Sequence, residues 1–211
     1  TAKGSGGSAE GGDVIRKGEV WGRPVDLDGT EPEASSDAEV ARLLSRPLDS
    51  PVVLRGGDLY HSLGGRASSP VDLDGPVMAL PIDLVAVRVD GVDRVAAAHV
   101  VARRRWWSGE FAVAMNGTHL GEWNLGPKAH PNDGLIDVTT GRLDVRDRWE
   151  ARRRAHTGTH LPHPALSTSR VTSTVWTFDR PTPVYVDGVA VGSARRVELE
   201  VQPDRGSVVV G

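Results

Sequence analysis

Three Asp-Gly pairs, at Asp90-Gly91, Asp133-Gly134 and Asp187-Gly188, lie among short valine-rich runs, and this pattern constrains the fold more than any other. An Asp-Gly pair between alternating apolar residues is a strong signal for a two-residue hairpin, because both central residues of the favoured turn need positive φ. Strands are expected at residues 77–89, 95–104, 111–116, 135–139, 171–178, 184–186, 196–201 and 207–210. Many short strands at this spacing predict an all-β sandwich or barrel from residue 70 onward. The one helical pattern inside that half is 145–155 (VRDRWEARRRA), cationic toward the end where the macrodipole favours positive charge.

The first third reads differently. Residues 1–12 (TAKGSGGSAEGG) have linker composition and are read as a flexible linker or tag remnant. Residues 36–45 carry the first helix signal: Ser36 or Asp37 can cap it, and Val40, Leu43 and Leu44 repeat at helical spacing. A short buried strand is expected at 51–54, followed by Gly56-Gly57 and a short helix at 58–63. Helix, strand, glycine turn and helix make a fragment of α/β architecture. The domain reading is therefore linker 1–12, reduced α/β segment 13–69 and β domain 70–211. The hexapeptide PVDLDG occurs at 24–29 and again at 70–75; two copies are read as two similar turns rather than as a repeat.

Composition excludes several functions. A formal net charge of -3 gives no basic stripe for nucleic acid. With 0 Cys there is neither a disulfide framework nor a thiolate metal site. No apolar run approaches the length of a membrane span and no signal peptide is visible, so the cytoplasm is the expected compartment. There is no G-x-S-x-G elbow, P-loop or dinucleotide fingerprint. His156, His160 and His163, with His119 and His130 elsewhere, could gather round zinc, yet two prolines break any shared helical face, so loop hydrogen bonding is the simpler reading. Arg103, Arg104 and Arg105 precede Trp106 and Trp107, and Arg152, Arg153 and Arg154 form a second cationic run. Each is either a solvated face or a peripheral contact to anionic headgroups.

Two segments carry a family resemblance. PKAHPNDGLIDV, ending at Val138, and VYVDGVAVG, ending at Gly192, resemble the C-terminal lipid-binding domain of diacylglycerol kinase and sphingosine kinase-like lipid kinases. In that family a P-x-A-x-x-x-D-G-x-L-D-V loop holds a structural magnesium ion. Pro127, Ala129, Asp133, Gly134 and Asp137 match it, with Ile136 in the leucine position. The resemblance implies a magnesium site made of the Asp133 carboxylate and the carbonyls of His130 and Leu135; the alternative is that Asp133-Gly134 only makes a hairpin turn. In the family the second segment reads D-G-E, and its glutamate is the general base. Here Val189 stands in that place, and an isopropyl group cannot accept a proton. RGGDLYHSLG at 55–64 is similar to the family's G-T-G-N-D-F-A-R-x-L-G segment in Asp58, Leu63 and Gly64 but lacks its loop. It can equally be a plain strand, turn and helix. FAVAMNGTHLGEW at 111–123 and HLPHPALSTSRV at 160–171 add weaker similarity, although 120–123 departs from the family's triple-glycine loop.

The family's G-G-D-G-T nucleotide loop is not found. The nearest sequences are DLDGT at 26–30 and SSDAE at 35–39, and only 57 residues precede Asp58, too few for a doubly wound nucleotide domain. Phosphoryl transfer rests on positioning and charge neutralisation, so loss of that loop argues against ATP as a cofactor. The expectation is a mainly β protein, a β-sandwich like the lipid-kinase C-terminal domain with a small N-terminal α/β remnant. Its expected role is that of a degenerate, non-catalytic lipid-kinase homologue that binds a lipid or amphipathic small molecule, with Asp58, Asn116 and Asp187 near the ligand and magnesium as the only cofactor. Two alternatives stay open: an ATP-dependent lipid kinase completed by a partner chain or an unfamiliar nucleotide site, and a structural module that pairs sheet edges into a homodimer.

Overall fold

The computed structural model describes residues 21–65, 75–104, 109–143 and 165–210. The linker 1–12, the cationic helix expected at 145–155, the second arginine run, the histidines at 156, 160 and 163, and Arg105 to Trp107 lie outside the described residues. In chain order the elements are β1 (Arg23–Val25), β2 (Glu33–Ala34), α1 (Asp37–Leu44), β3 (Val52–Leu54), α2 (Asp58–Ser62), β4 (Val77–Val89), β5 (Val92–Ala96), β6 (His99–Ala102), β7 (Gly109–Met115), β8 (His119–Leu120), β9 (Trp123–Asn124), β10 (Ile136–Leu143), β11 (Leu166–Val171), β12 (Ser173–Val186) and β13 (Val189–Val210).

One sheet runs β1-β4-β13-β12-β6-β7-β10-β11, with β5 paired to β4 and the β2-β3 pair joined to β13. Residues from β4, β5, β6, β7, β10, β12 and β13 meet in a single apolar cluster that includes Val87, Val100, Ala114, Ile136, Trp176 and Leu199. A continuous sheet can share one core in this way only by bending until its faces oppose each other, which gives the expected sandwich. Two of the Asp-Gly pairs make the expected hairpins. Val89 pairs with Val92 and Val186 with Val189, and Asp90, Gly91, Asp187 and Gly188 all have positive φ, as a type I′ turn requires. The third pair differs: Asp133-Gly134 leads into β10, which pairs with β7 and β11, so it anchors a loop and is not a hairpin.

The N-terminal segment joins the same sheet. β3 pairs in parallel with the end of β13, Val52 opposite Val208 and Leu54 opposite Val210, and all three β3 residues are buried. α1 and α2 cover that end of the sheet through a second cluster containing Val40, Leu44, Leu59, Ile82, Leu84 and Val208. β4 is therefore apolar on both faces, Val85, Val87 and Val89 toward the sandwich and Ile82 and Leu84 toward the helices, which explains its near-unbroken hydrophobic sequence. Full burial of each of these leucines contributes about 1.5–3 kcal/mol. Where β13 bulges between Gln202 and Gly206, a Cβ on Gly206 would lie 2.5 Å from Leu44 Cδ2; glycine there lets α1 settle onto the sheet. α1 starts as its sequence predicts, with the Ser36 hydroxyl accepting from the Glu39 N–H.

Candidate functional site

The site forms where the α1/α2 layer meets the Ala97-Ala98 break between β5 and β6. Sequence pattern predicts one strand from 95 to 104, but the ladder breaks at Ala97-Ala98. Asp187, at the tip of the β12-β13 hairpin, causes the break. Its carboxylate accepts the N–H groups of Ala97 at 2.8 Å, Ala98 at 2.9 Å and His99 at 3.0 Å. Its own N–H donates to the His99 carbonyl at 3.0 Å. From the other side Asn116 Nδ2 donates to the carbonyls of Ala97 (2.8 Å) and Asp83 (2.9 Å). Three backbone donors and two carbonyls that a regular strand would pair with its neighbours are thus taken by two side chains, as buried polar backbone must be.

The break delivers His99 to the helices. Its side chain is 4% exposed, and Nδ1 lies 3.6 Å from Asp58 Oδ2 without a hydrogen-bond partner. Asp58 opens α2 and is about a quarter exposed; its Oδ1 accepts the Gly121 N–H at 2.8 Å. Behind it Asp37, the first residue of α1, accepts the N–H groups of Asp58 at 2.8 Å and Leu59 at 2.9 Å. Asp37 thereby caps α2 from another helix, since Gly57 offers no side chain. Gly57 has φ +101, and a Cβ there would lie 2.4 Å from Asp37 Oδ1, so only glycine admits this cap. Burial pushes the Asp37 carboxyl up to about 7, the two backbone N–H bonds oppose this, and the negative Asp187 and Asp58 add to it. Burial likewise raises the Asp187 carboxyl against its three N–H donors and His99. On the outer side Ser62 Oγ accepts the His119 N–H at 3.1 Å, and the His61 and His119 rings stack at 4.1 Å. Burial and His61 lower the His119 pKa.

Of the three ligand residues expected from sequence, the structure gathers all around Ala97 to His99, in unequal roles. Asn116 is 1% exposed and Asp187 8% exposed, both bonded to backbone; Asp58 alone presents a carboxylate toward solvent. Val189 is 52% exposed, on the outer face of the hairpin. Sequence reasoning missed Asp37, seen only as a helix cap, and His99, hidden in a small-apolar run. It also missed Asp83, the one buried charge in the apolar strand β4, where an ionisable group so placed must have partners.

Asp83 organises the loop that the resemblance assigns to magnesium. It is 1% exposed, its Oδ2 accepts the Gly134 N–H at 2.7 Å, and its Oδ1 accepts the Asp204 N–H at 3.0 Å and Asn132 Nδ2 at 3.2 Å. In the loop itself Asp133 Oδ1 accepts the Leu135 N–H at 3.1 Å, while Oδ2 takes a hydrogen bond from Arg170. Arg170 Nε also donates to Asp137 at 2.7 Å. The His130 ring lies tilted against Trp21, centroids 4.5 Å apart, and its Nδ1 accepts the Asn132 N–H at 3.3 Å. The only carboxylate of the expected ligand set thus has both oxygens engaged and its charge met by a guanidinium. A magnesium ion held by Asp133 and the carbonyls of His130 and Leu135 would have to displace or share this guanidinium contact.

No helix among the described residues is long and apolar enough to cross a membrane. No family model and no curated protein sequence matches the chain. Among solved structures it is similar to a candidate diacylglycerol kinase from Bacillus anthracis str. Sterne, with a TM-score of 0.62 at 10% identity over 85% of this chain and 76% of that one. A diacylglycerol kinase from the same organism gives 0.55 at 10% identity over 80% and 70%. Another candidate diacylglycerol kinase from it gives 0.58 at 9% identity over 80% and 72%. The chain has the fold of these diacylglycerol kinase-like structures, as the two sequence segments implied.

Proposed function

We propose that this chain is a non-catalytic relative of the diacylglycerol kinase-like proteins that binds a lipid or amphipathic small molecule beside Asp58, at the seam between the helices and the sandwich. One observation carries the reading: the acid of the β12-β13 hairpin is committed to the backbone. Asp187 spends its carboxylate on three N–H donors, and two residues on, an exposed isopropyl group occupies the position of a base. A general base must be titratable and within reach of the proton it removes; neither Asp187 nor Val189 meets both conditions. Asp58 and the stacked His61 and His119 offer a polar rim for a headgroup. Next to them Leu120 and Leu125, half-buried against the cluster of Val113 and Met115, offer apolar surface.

The test uses dioctanoylglycerol as the probe, with ATP and magnesium. The expected results are no transfer of the γ-phosphate, and amide shifts on adding dioctanoylglycerol that centre on Asp58, Gly121 and Leu125. Phosphorylated dioctanoylglycerol at a rate above the uncatalysed control would show an active lipid kinase instead. Absence of amide shifts with dioctanoylglycerol and with a single-chain amphiphile would remove the binding role.

A further inference from the structure

Asp37, Asp58 and His99 come from three separate elements, yet one potential ligand atom from each lies within 4.8 Å of the others. Among the described residues they are the one such group of three His, Asp or Glu side chains. Proximity of acids alone would mean little. The independent observation is His99: its side chain is 4% exposed, and its Nδ1, buried and aimed at the carboxylates, makes no hydrogen bond. An orphaned buried nitrogen is costly, and a native fold that tolerates it calls for a missing partner. The local charge points the same way. Asp187 and Asp58, both negative, act on Asp37, and among the described residues the ion-pair partner of Asp58 is the His99 imidazole.

From this we infer that Asp37, Asp58 and His99 form a binding site for a divalent first-row transition ion such as Mn²⁺ or Zn²⁺. Neutral imidazole favours such ions, and two carboxylates with added water complete a mixed nitrogen and oxygen set; magnesium, which prefers oxygen throughout, is disfavoured by the nitrogen. Each Asp37 oxygen accepts one backbone N–H and keeps a second lone pair, so ligation leaves the α2 cap in place. Those same N–H bonds fix the orientation of Asp37, and Gly121 fixes Asp58, as supporting hydrogen bonds do at metal centres. The site stands independently of the lipid-binding reading, and a bound ion would add a Lewis-acidic face to the seam.

The experiment titrates the chelator-stripped full chain with MnCl₂ by calorimetry and repeats it with ZnCl₂ and MgCl₂. Binding of one Mn²⁺ is expected, at least tenfold tighter than Mg²⁺. H99A and D58N should each weaken it tenfold or more, whereas D93N, which neutralises an exposed acid on β5 outside the group, should leave it unchanged. D58N keeps an acceptor for the Gly121 N–H and is expected to fold. Should H99A not fold, the wild-type protein gives a second readout: Mn²⁺ at substoichiometric levels should broaden the His99 ring and amide resonances first. No Mn²⁺ or Zn²⁺ binding, equal affinity in H99A, or broadening that spares His99 would each overturn the assignment.

Discussion

Replacing Asp187 by alanine probes the joint between hairpin and helices directly. The substitution orphans three buried N–H donors, those of Ala97, Ala98 and His99. At about 1–3 kcal/mol for each unsatisfied buried donor, the gross cost is about 3–9 kcal/mol. Two effects reduce it. The carboxylate is itself disfavoured by burial, so its removal recovers part of the loss, and water can enter beside the truncated side chain. A net loss of about 3 kcal/mol remains; with a urea dependence of about 2–3 kcal/mol per molar for a chain of this size, the midpoint should fall by about 1–1.5 M. V189E, two residues away on an exposed position, is the control and should stay within about 0.5 kcal/mol of wild type. A second readout comes from charge. Asp187 is among the causes that raise the Asp37 carboxyl, so a carboxyl NMR titration of D187A should find Asp37 titrating at lower pH. If D187A unfolds at the wild-type urea concentration, the carboxylate does not hold the Ala97 to His99 break and the argument that it is unavailable as a base fails with it.

Three further outcomes are expected. The Asp37 carboxyl, raised to about 7, makes the native state the better proton binder between the ordinary aspartate range and neutrality; its contribution is present at low pH and is lost as pH rises through about 7, on the order of 4 kcal/mol in all. Urea stability of the wild type minus that of D37N should therefore shrink from pH 4.5 to pH 7.5; a flat difference would refute the burial of a charge-disfavoured acid. G57A forces a side chain into a φ reserved for glycine and against Asp37 Oδ1, so it should lose about 3 kcal/mol or more, read as a fall in thermal midpoint, while G29A, with nothing within 4 Å of its Cβ, should lose about 1–2 kcal/mol from backbone strain alone. The Arg170 bridge to Asp133 and Asp137, partly exposed, should be worth about 1 kcal/mol, so R170A should melt about 2–4 °C lower; wild-type melting should not respond to magnesium, and a magnesium-dependent rise that R170A alters would place the ion in the loop.

The strands of the sandwich were legible because their period of two and the Asp-Gly turns are local properties. β4, from Val77 to Val89, has the bounds its sequence predicts, and so do the hairpins at Asp90 and Asp187. The breaks were not legible. Nothing within AAAHVV marks the place where a strand must stop, because the cause, Asp187, lies about ninety residues away. The reverse error occurs in β13, expected as two strands and found as one of 22 residues; Pro203 and Gly206 read as a stop, but the chain absorbs them in a bulge. β11, not among the expected strands, exists because Arg170 and its neighbours pair with β10, a tertiary fact with no local signature.

The candidate site illustrates why spacing alone misleads about acids. Asp187 and Asp133 sit in Asp-Gly pairs that look alike in sequence, yet one is consumed by backbone donors and the other by a guanidinium. Asp37 reads as an ordinary residue in the first turn of a helix, but its carboxylate serves a different helix and is nearly as buried as the core leucines. Whether a carboxylate can do chemistry depends on which donors reach it first, and those donors come from other elements. Asp58 has one oxygen on Gly121 and the other facing only His99, so among the acids at the seam it is the one whose bonding is incomplete. A ligand or metal bound at the seam, as proposed, would have to meet that oxygen.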